Sequence, residues 1–206
     1  MADIAGLEAA LEHQSLDGQP PSVHRAPRHR LIADRDECQA EVHRLIDAGH
    51  PVAVDLEGQD LCRNGRLAIV QLAVEDPACP VLLIDIVALG EDAFGHGGLR
   101  QLLENDAQHK IMYDPRTDAD ALFHLHQTRL AGVVDVQVLL VRFENRRNNR
   151  FLKGLSKAFD SYPKLSESER QAITAMKQRG IALFDPRHGG SYAVWFERPL
   201  SSDMAE

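Results

Sequence analysis

Between residues 52 and 86, three apolar runs rich in β-branched residues follow one another with little chain between them. They cover 52–57, 66–74 and 81–86, and the links hold turn formers, Asn64-Gly65 in the first and Asp76-Pro77 in the second. Parallel neighbours need a crossover of a dozen or more residues, so links this short predict an antiparallel three-strand meander. The pattern then changes to alternation: a helix over 98–104, a strand over 109–113, a helix over 117–126, a strand around Val133-Val134, and a long helix from Val136. Upstream, a short strand near 30–32 precedes a helix running to about Ala48. Asp34 or Asp36 would cap that helix, Val42, Leu45 and Ile46 would form its buried face, and Gly49 would end it. A meander followed by αβα units implies an α/β fold, with a mixed sheet of antiparallel and then parallel strands and helices on both faces.

The 206 residues suit one domain with an extension. Residues 1–27 are polar and hold Gly18-Gln19-Pro20-Pro21, so they are expected to form a flexible lead-in, with a short helix over 4–11. The domain itself is expected over 28–206. A net charge of −8 argues against gripping nucleic acid by overall charge, although a local basic patch remains compatible with it. Cys38, Cys62 and Cys79 are odd in number and lack metal-ligand spacing, which suits reduced thiols. Neither a secretory signal pattern nor an apolar run of membrane-spanning length is evident, so an intracellular protein, cytoplasmic or nuclear, is expected.

The first strand of the meander ends Val54-Asp55-Leu56-Glu57-Gly58. Residues two apart on a strand project to the same face, which sets Asp55 and Glu57 side by side. Such carboxylates repel unless a cation lies between them, and hard divalent ions prefer oxygen ligands of this kind. A strand running out into a solvated acidic turn is the plainer reading. A second acidic cluster lies in Lys110-Ile111-Met112-Tyr113-Asp114-Pro115-Arg116-Thr117-Asp118-Ala119-Asp120-Ala121-Leu122. There Asp118 falls in the first turn of a helix, where negative charge is favoured in any case.

Taken in order, these segments resemble the DEDD superfamily of 3′→5′ exonucleases, and within it RNase D and the Egalitarian-type domains, on the ribonuclease H-like fold. Val54-Asp55-Leu56-Glu57-Gly58 together with Gly65-Arg66-Leu67 and Val70-Gln71-Leu72-Ala73 is similar to that family's first motif and following strand. Residues 110–122 resemble its second motif, and Val134-Asp135-Val136-Gln137 its next segment. The resemblance implies a fold, an activity and a cofactor: phosphodiester hydrolysis at a single-stranded RNA or DNA 3′ end, RNA favoured, with two Mg²⁺ or Mn²⁺ ions. It also implies roles, in which Asp55 bridges the ions, Glu57 holds one and positions the attacking water, and Asp118 binds the second on the leaving-group side. Tyr113 and Pro115 depart from the family pattern at positions that are not ligands. Asp135 reads as the N-cap of the next helix, Asp85 as structural and Asp114 as a turn residue.

The C-terminal departure is larger. Trp195-Phe196-Glu197-Arg198-Pro199-Leu200-Ser201 resembles the segment that, in relatives, leads into a helix with a Tyr-x-x-x-Asp motif, and no such spacing occurs among the 206 residues. Three expectations follow: a domain cut short of that helix, a variant that binds nucleic acid without cleaving it as an adaptor, or substitution by Asp203 or Glu206. A local basic run completes the reading. Arg142, Arg146, Arg147, Arg150, Lys153 and Lys157 face one acidic residue, Glu144. Arg142, Arg146 and Arg150 would share one face of a continuous helix and, with Lys153, track phosphates. A solvated helix face is the alternative, and Arg66 and Arg63 are weaker candidates for the same task. Leu152, Leu155 and Phe159 read as core, Ile173 and Met176 as facing inward, and Trp195 as a packing anchor.

Overall fold

The structure is a computed structural model and describes residues 29–143, 152–201 and 204. The chain order is β1 (His29–Ile32), α1 (Arg35–Ala48), β2 (Val52–Gln59), β3 (Arg66–Ala73), β4 (Val81–Asp85), α2 (Ile86–Leu89), α3 (Leu99–Glu104), β5 (Lys110–Met112), α4 (Arg116–His126), β6 (Val133–Asp135), α5 (Val136–Phe143), α6 (Leu155–Ser161) and α7 (Glu167–Phe184). The six strands form one sheet in the order β1-β4-β3-β2-β5-β6. The predicted meander is present, with β2 antiparallel to β3 and β3 antiparallel to β4, while β5 lies parallel to both β2 and β6, and β1 parallel to β4.

Local chemistry sets the element ends. The Asp34 carboxylate accepts from the backbone N–H of Asp36 at 3.0 Å and Glu37 at 2.9 Å, capping α1. Gly49 closes α1 in the left-handed region at φ 66°. Lys110, fully buried in β5, turns its ammonium onto the C-terminal carbonyls of α3, donating to Leu102 O at 3.3 Å and to Asn105 O. Burial lowers the Lys110 pKa, partly opposed by Asp106. A lysine in a central strand is thus explained by the helix end it seals.

The main core lies on one face of the sheet, where Val52, Val54 and Leu56 of β2 meet Val42 and Leu45 of α1, Leu99, Leu102 and Leu103 of α3, and Leu122 of α4. The opposite face carries Ala68, Ile69, Leu83 and Trp195, with Phe184, Phe196, Leu200 and Met204 packed around them. Asp85 anchors this second layer. It caps α2 by accepting from Ala88 N–H at 3.1 Å, and it receives the Arg198 guanidinium at 2.6 and 2.5 Å while itself only 1% exposed. Trp195 is a packing anchor, and Asp85 is structural.

The second layer is looser than its sequence pattern suggests. Leu152 and Leu155, expected in the core, are 48% and 38% exposed, and Met176 is 43% exposed. Ala158 is the buried residue of α6, and α7 has none. Their apolar stripes face a groove instead of closing on the sheet. The expected helix over 4–11 lies outside the described residues, and no helix among those described is long and apolar enough to cross a membrane.

Candidate active site

The groove between this face of the sheet and α7 has a volume of about 550 Å³, with Glu57, Gln71 and Ile69 on its floor and Ile173, Met176, Lys177 and Gly180 on its α7 wall. Strand alternation explains the floor. Val52, Val54 and Leu56 point into the main core, so Asp55 and Glu57 point the other way. Asp55 stands opposite Gln71 and Glu57 opposite Ile69, and just past Glu57 the register shifts, leaving Ala68 of β3 as an extra residue. This bulge turns Ala68 and Ile69 together toward the second layer. Gly58 permits the crossing, since a Cβ there would lie 2.0 Å from the Arg66 carbonyl oxygen.

Asp118 arrives from α4, where it is buried in the first turn at 9% exposure. The turn that delivers it is held by Asp114, which adopts φ 55° and donates its N–H to the Asp135 carboxylate at 3.1 Å. Asp135 also accepts from Gln137 N–H at 2.9 Å, as an N-cap of α5 does. Arg116 holds Asp114 at 2.5 and 2.9 Å and keeps its pKa low. Asp114 and Asp135 are therefore scaffold residues, and Asp118 is the member of this cluster that acts by charge on Glu57.

Their electrostatics follow from burial and from carboxylates within charge reach of one another. Burial, then the charges of Asp55 and Asp118, push the Glu57 pKa up to about 8. Asp118 is raised to about 6, first by burial and then by Asp55. Asp55 is open to solvent at the groove, yet the surrounding walls raise its pKa too, while the Leu56 N–H and the charge of Lys177 pull it back. The Gln71 amide reaches Glu57 Oε1 at 3.4 Å. Among the described residues no group of three or more His, Cys, Asp or Glu side chains is placed so as to hold a metal ion as it stands. Charge coupling acts over longer distances than ligation, and like charges with no cation between them stay apart. The donor set itself, three hard carboxylates with uncompensated charge, fits a divalent ion.

Of the expected phosphate-tracking residues, Arg142, Lys153 and Arg66 are among those described. Arg146 and Arg150 lie outside the described residues. Arg142 is exposed at the end of α5. Lys153 directs its ammonium to Ser161 Oγ at 2.9 Å, and its carbonyl accepts from Tyr113 OH at 2.6 Å and Gln137 Nε2 at 3.0 Å. Arg66 is exposed and lies over the Phe196 ring, 3.9 Å from its centroid. Arg63 is committed to Asp120, with its Nη2 at 2.6 Å from the carboxylate and its own N–H at 2.8 Å. Two groove residues were not foreseen as functional. Gln71 is legible as the cross-strand partner of Asp55 once the meander register is known. Lys177 carries no such signal, because the position of α7 over the groove is a tertiary fact.

Comparisons with known proteins bear on the family and the fold. A family model described as 3′-5′ exonuclease matches residues 30–179. The mouse piRNA biogenesis protein EXD1 is 37% identical over 97% of this chain and 37% of its own, and the human protein is 29% identical over 74% and 28%. The chain thus spans about a third of the length of these curated relatives. Among solved structures, Trypanosoma brucei RNase D bound to GMP matches with a TM-score of 0.67 at 24% identity, covering 85% of this chain and 51% of that one. The Aedes aegypti Nibbler EXO domain matches with a TM-score of 0.60 at 16% identity, covering 91% and 83%. The sheet order and the family match converge on one assignment: this chain belongs to the 3′-5′ exonuclease family.

Proposed function

We propose that this chain is a divalent-metal-dependent 3′→5′ exonuclease domain acting on single-stranded nucleic-acid ends, with Asp55, Glu57 and Asp118 as its metal-holding carboxylates. The observation that carries the reading is that Asp55 and Asp118 act by charge on Glu57, and Asp55 on Asp118, so that a pair from β2 and one residue from α4 come within charge reach of one another beside a groove that Glu57 lines. Mg²⁺ or Mn²⁺ bound there supplies charge neutralisation and Lewis acidity for attack of water at phosphorus. Glu57 keeps its proton up to about pH 8 and releases it when a cation takes its place, while the Gln71 amide orients the carboxyl. Asp55 would share the ion with Glu57, and Asp118 would serve the leaving-group side. The apolar half of β2, packed in the main core, gives the carboxylates the rigid support that ion placement requires. RNA is the favoured polymer: RNase D of Trypanosoma brucei has been solved in complex with RNA, and the EXD1 relatives are named for piRNA biogenesis. Arg142, Arg146, Arg150, Lys153 and Arg66 are the proposed phosphate contacts.

A second reading, binding without cleavage, is favoured by one observation: among the described residues the acidic side chains stand apart and form no cage around an ion. The test is degradation of 5′-labelled single-stranded RNA, with a DNA of the same sequence alongside, in Mn²⁺. A ladder shortening from the 3′ end, absent from the Asp55→Asn, Glu57→Gln double variant, supports hydrolysis. RNA binding with no ladder would select the second reading.

A further inference from the structure

The α7 wall of the groove is apolar along most of its length. Ile173, Met176, Gly180, Leu183 and Phe184 line it, and in their midst stands Lys177, half-buried. Packing accounts for the aliphatic stem of Lys177, which can cover apolar surface, but gives no reason for an ammonium at its tip. A reason appears across the groove, where Glu57 lines the same hollow and Asp55 stands beside it. Lys177 acts on Asp55 by charge and not through a hydrogen bond. Both ends of α7 fix where this charge falls. Ser166 and Glu169 form a reciprocal capping box at its start, and Phe184 packs on Trp195 at its end, with ring centroids 5.8 Å apart. A lysine suits the position, being a compact point charge on a long flexible stem.

We propose that Lys177 is a resident counter-cation of the carboxylate site, holding the Asp55 side where a second divalent ion would bind. The site then takes one ion, and takes it against competition from the ammonium. This inference rests on the reading of Asp55, Glu57 and Asp118 as the metal-holding set. Lys177 acts through Asp55 and is therefore a positioning residue. The groups facing it are Glu57 from β2 and Gln71 from β3, which line the same groove, and Asp55 from β2, which it reaches by charge. Removing the ammonium restores a full negative charge to the ion's surroundings. Across a solvent-filled groove, one such charge corresponds to about a tenfold change in affinity.

The experiment is direct calorimetric titration of the metal-stripped 206-residue chain with Mn²⁺. Four proteins are compared: the parent, Lys177→Gln, Lys177→Arg, and Asp55→Asn, Glu57→Gln. Circular dichroism of each verifies folding. The expected result is one Mn²⁺ bound by the parent, about tenfold tighter binding or a second ion in Lys177→Gln, and parent-like binding in Lys177→Arg. Ion binding that appears only in Lys177→Gln would support the counter-cation role and overturn the single ion assigned to the parent. Binding that depends on the carboxylates but is the same in parent and Lys177→Gln would overturn the counter-cation role alone. Binding unaffected by the double carboxylate substitution, or absent from all four proteins, would overturn the metal-site reading together with it.

Discussion

Replacing Glu57 by glutamine should stabilise the protein at alkaline pH and leave it nearly unchanged at acidic pH. Burial, with Asp55 beside it and Asp118 across from it, lifts the Glu57 pKa from 4.5 to about 8. In the unfolded chain those influences disappear, so the folded protein holds this proton more tightly than the unfolded one. The stability that Glu57 contributes is therefore fully present below about pH 4.5, declines between 4.5 and 8, and is gone above the folded pKa. At about 1.4 kcal/mol per pKa unit the whole difference would be about 5 kcal/mol. Water reaching the half-buried carboxylate through the open groove reduces the expected value to about 2 kcal/mol. For a chain of this size that is a melting-temperature difference of about 4–8 °C. Asp118, lifted from 3.8 to about 6, gives the same sign at lower pH, and it is common to both proteins. The assay is thermal unfolding by circular dichroism, in EDTA, at intervals between acidic and alkaline pH. The two curves should coincide in acid and separate as pH rises toward the Glu57 pKa, with Glu57→Gln the more stable. Parallel curves across the whole range would refute the claim that Glu57 is an uncompensated buried carboxyl.

Two further predictions concern the frame around the site. Arg198→Ala strands the buried Asp85 carboxylate and should cost about 3–5 kcal/mol; an unchanged unfolding midpoint in that variant would show that this pair does not pin the second layer. Gly58→Ala drives a Cβ into the Arg66 carbonyl and should cost about 3 kcal/mol or more, because backbone on the opposite strand has to move. Equilibrium urea unfolding measures both losses, and an alanine tolerated at residue 58 would contradict the bulge geometry.

The meander was legible because its evidence is local: strand length, β-branched composition and two turn-forming links. The αβα half was legible for the same reason, and caps such as Asp34 and Asp135 sit where side-chain oxygens meet free N–H groups. The pairing of Asp55 with Glu57 followed from the two-residue strand period. The placement of Asp118 beside them did not follow from period or composition. It depended on β5 lying parallel to β2 and on the Asp114 turn, and was anticipated through family resemblance. Apolar periodicity misled where it was read as burial. Leu152, Leu155 and Met176 have the spacing of core residues, but periodicity reports which face is apolar and is silent on whether anything closes over that face. Arg63 and Arg66 show a related limit, since a basic residue gives no sign in sequence of the carboxylate or ring it will meet.

The two layers of the domain serve the site in opposite ways. The main core fixes β2 from behind, through Val52, Val54 and Leu56, so Asp55 and Glu57 cannot retreat from one another by moving the strand. The second layer fails to close over them, since α7 lays no fully buried residue on the sheet and leaves a hollow. A rigid floor under a loose roof concentrates unfavourable charge where solvent and a cation can reach it. That charge costs stability at and above neutral pH, by the argument made for Glu57. A cation that binds only the folded chain returns stability as RT ln(1 + [ion]/Kd), so the same carboxylates that weaken the metal-free domain strengthen the loaded one. Lys177 lowers both quantities together, relieving Asp55 in the metal-free state and opposing the ion that would relieve it further. In Lys177→Gln, melting temperature without metal should therefore fall while the increment produced by Mn²⁺ grows. A packing role for Lys177 would lower the first and leave the second as it was.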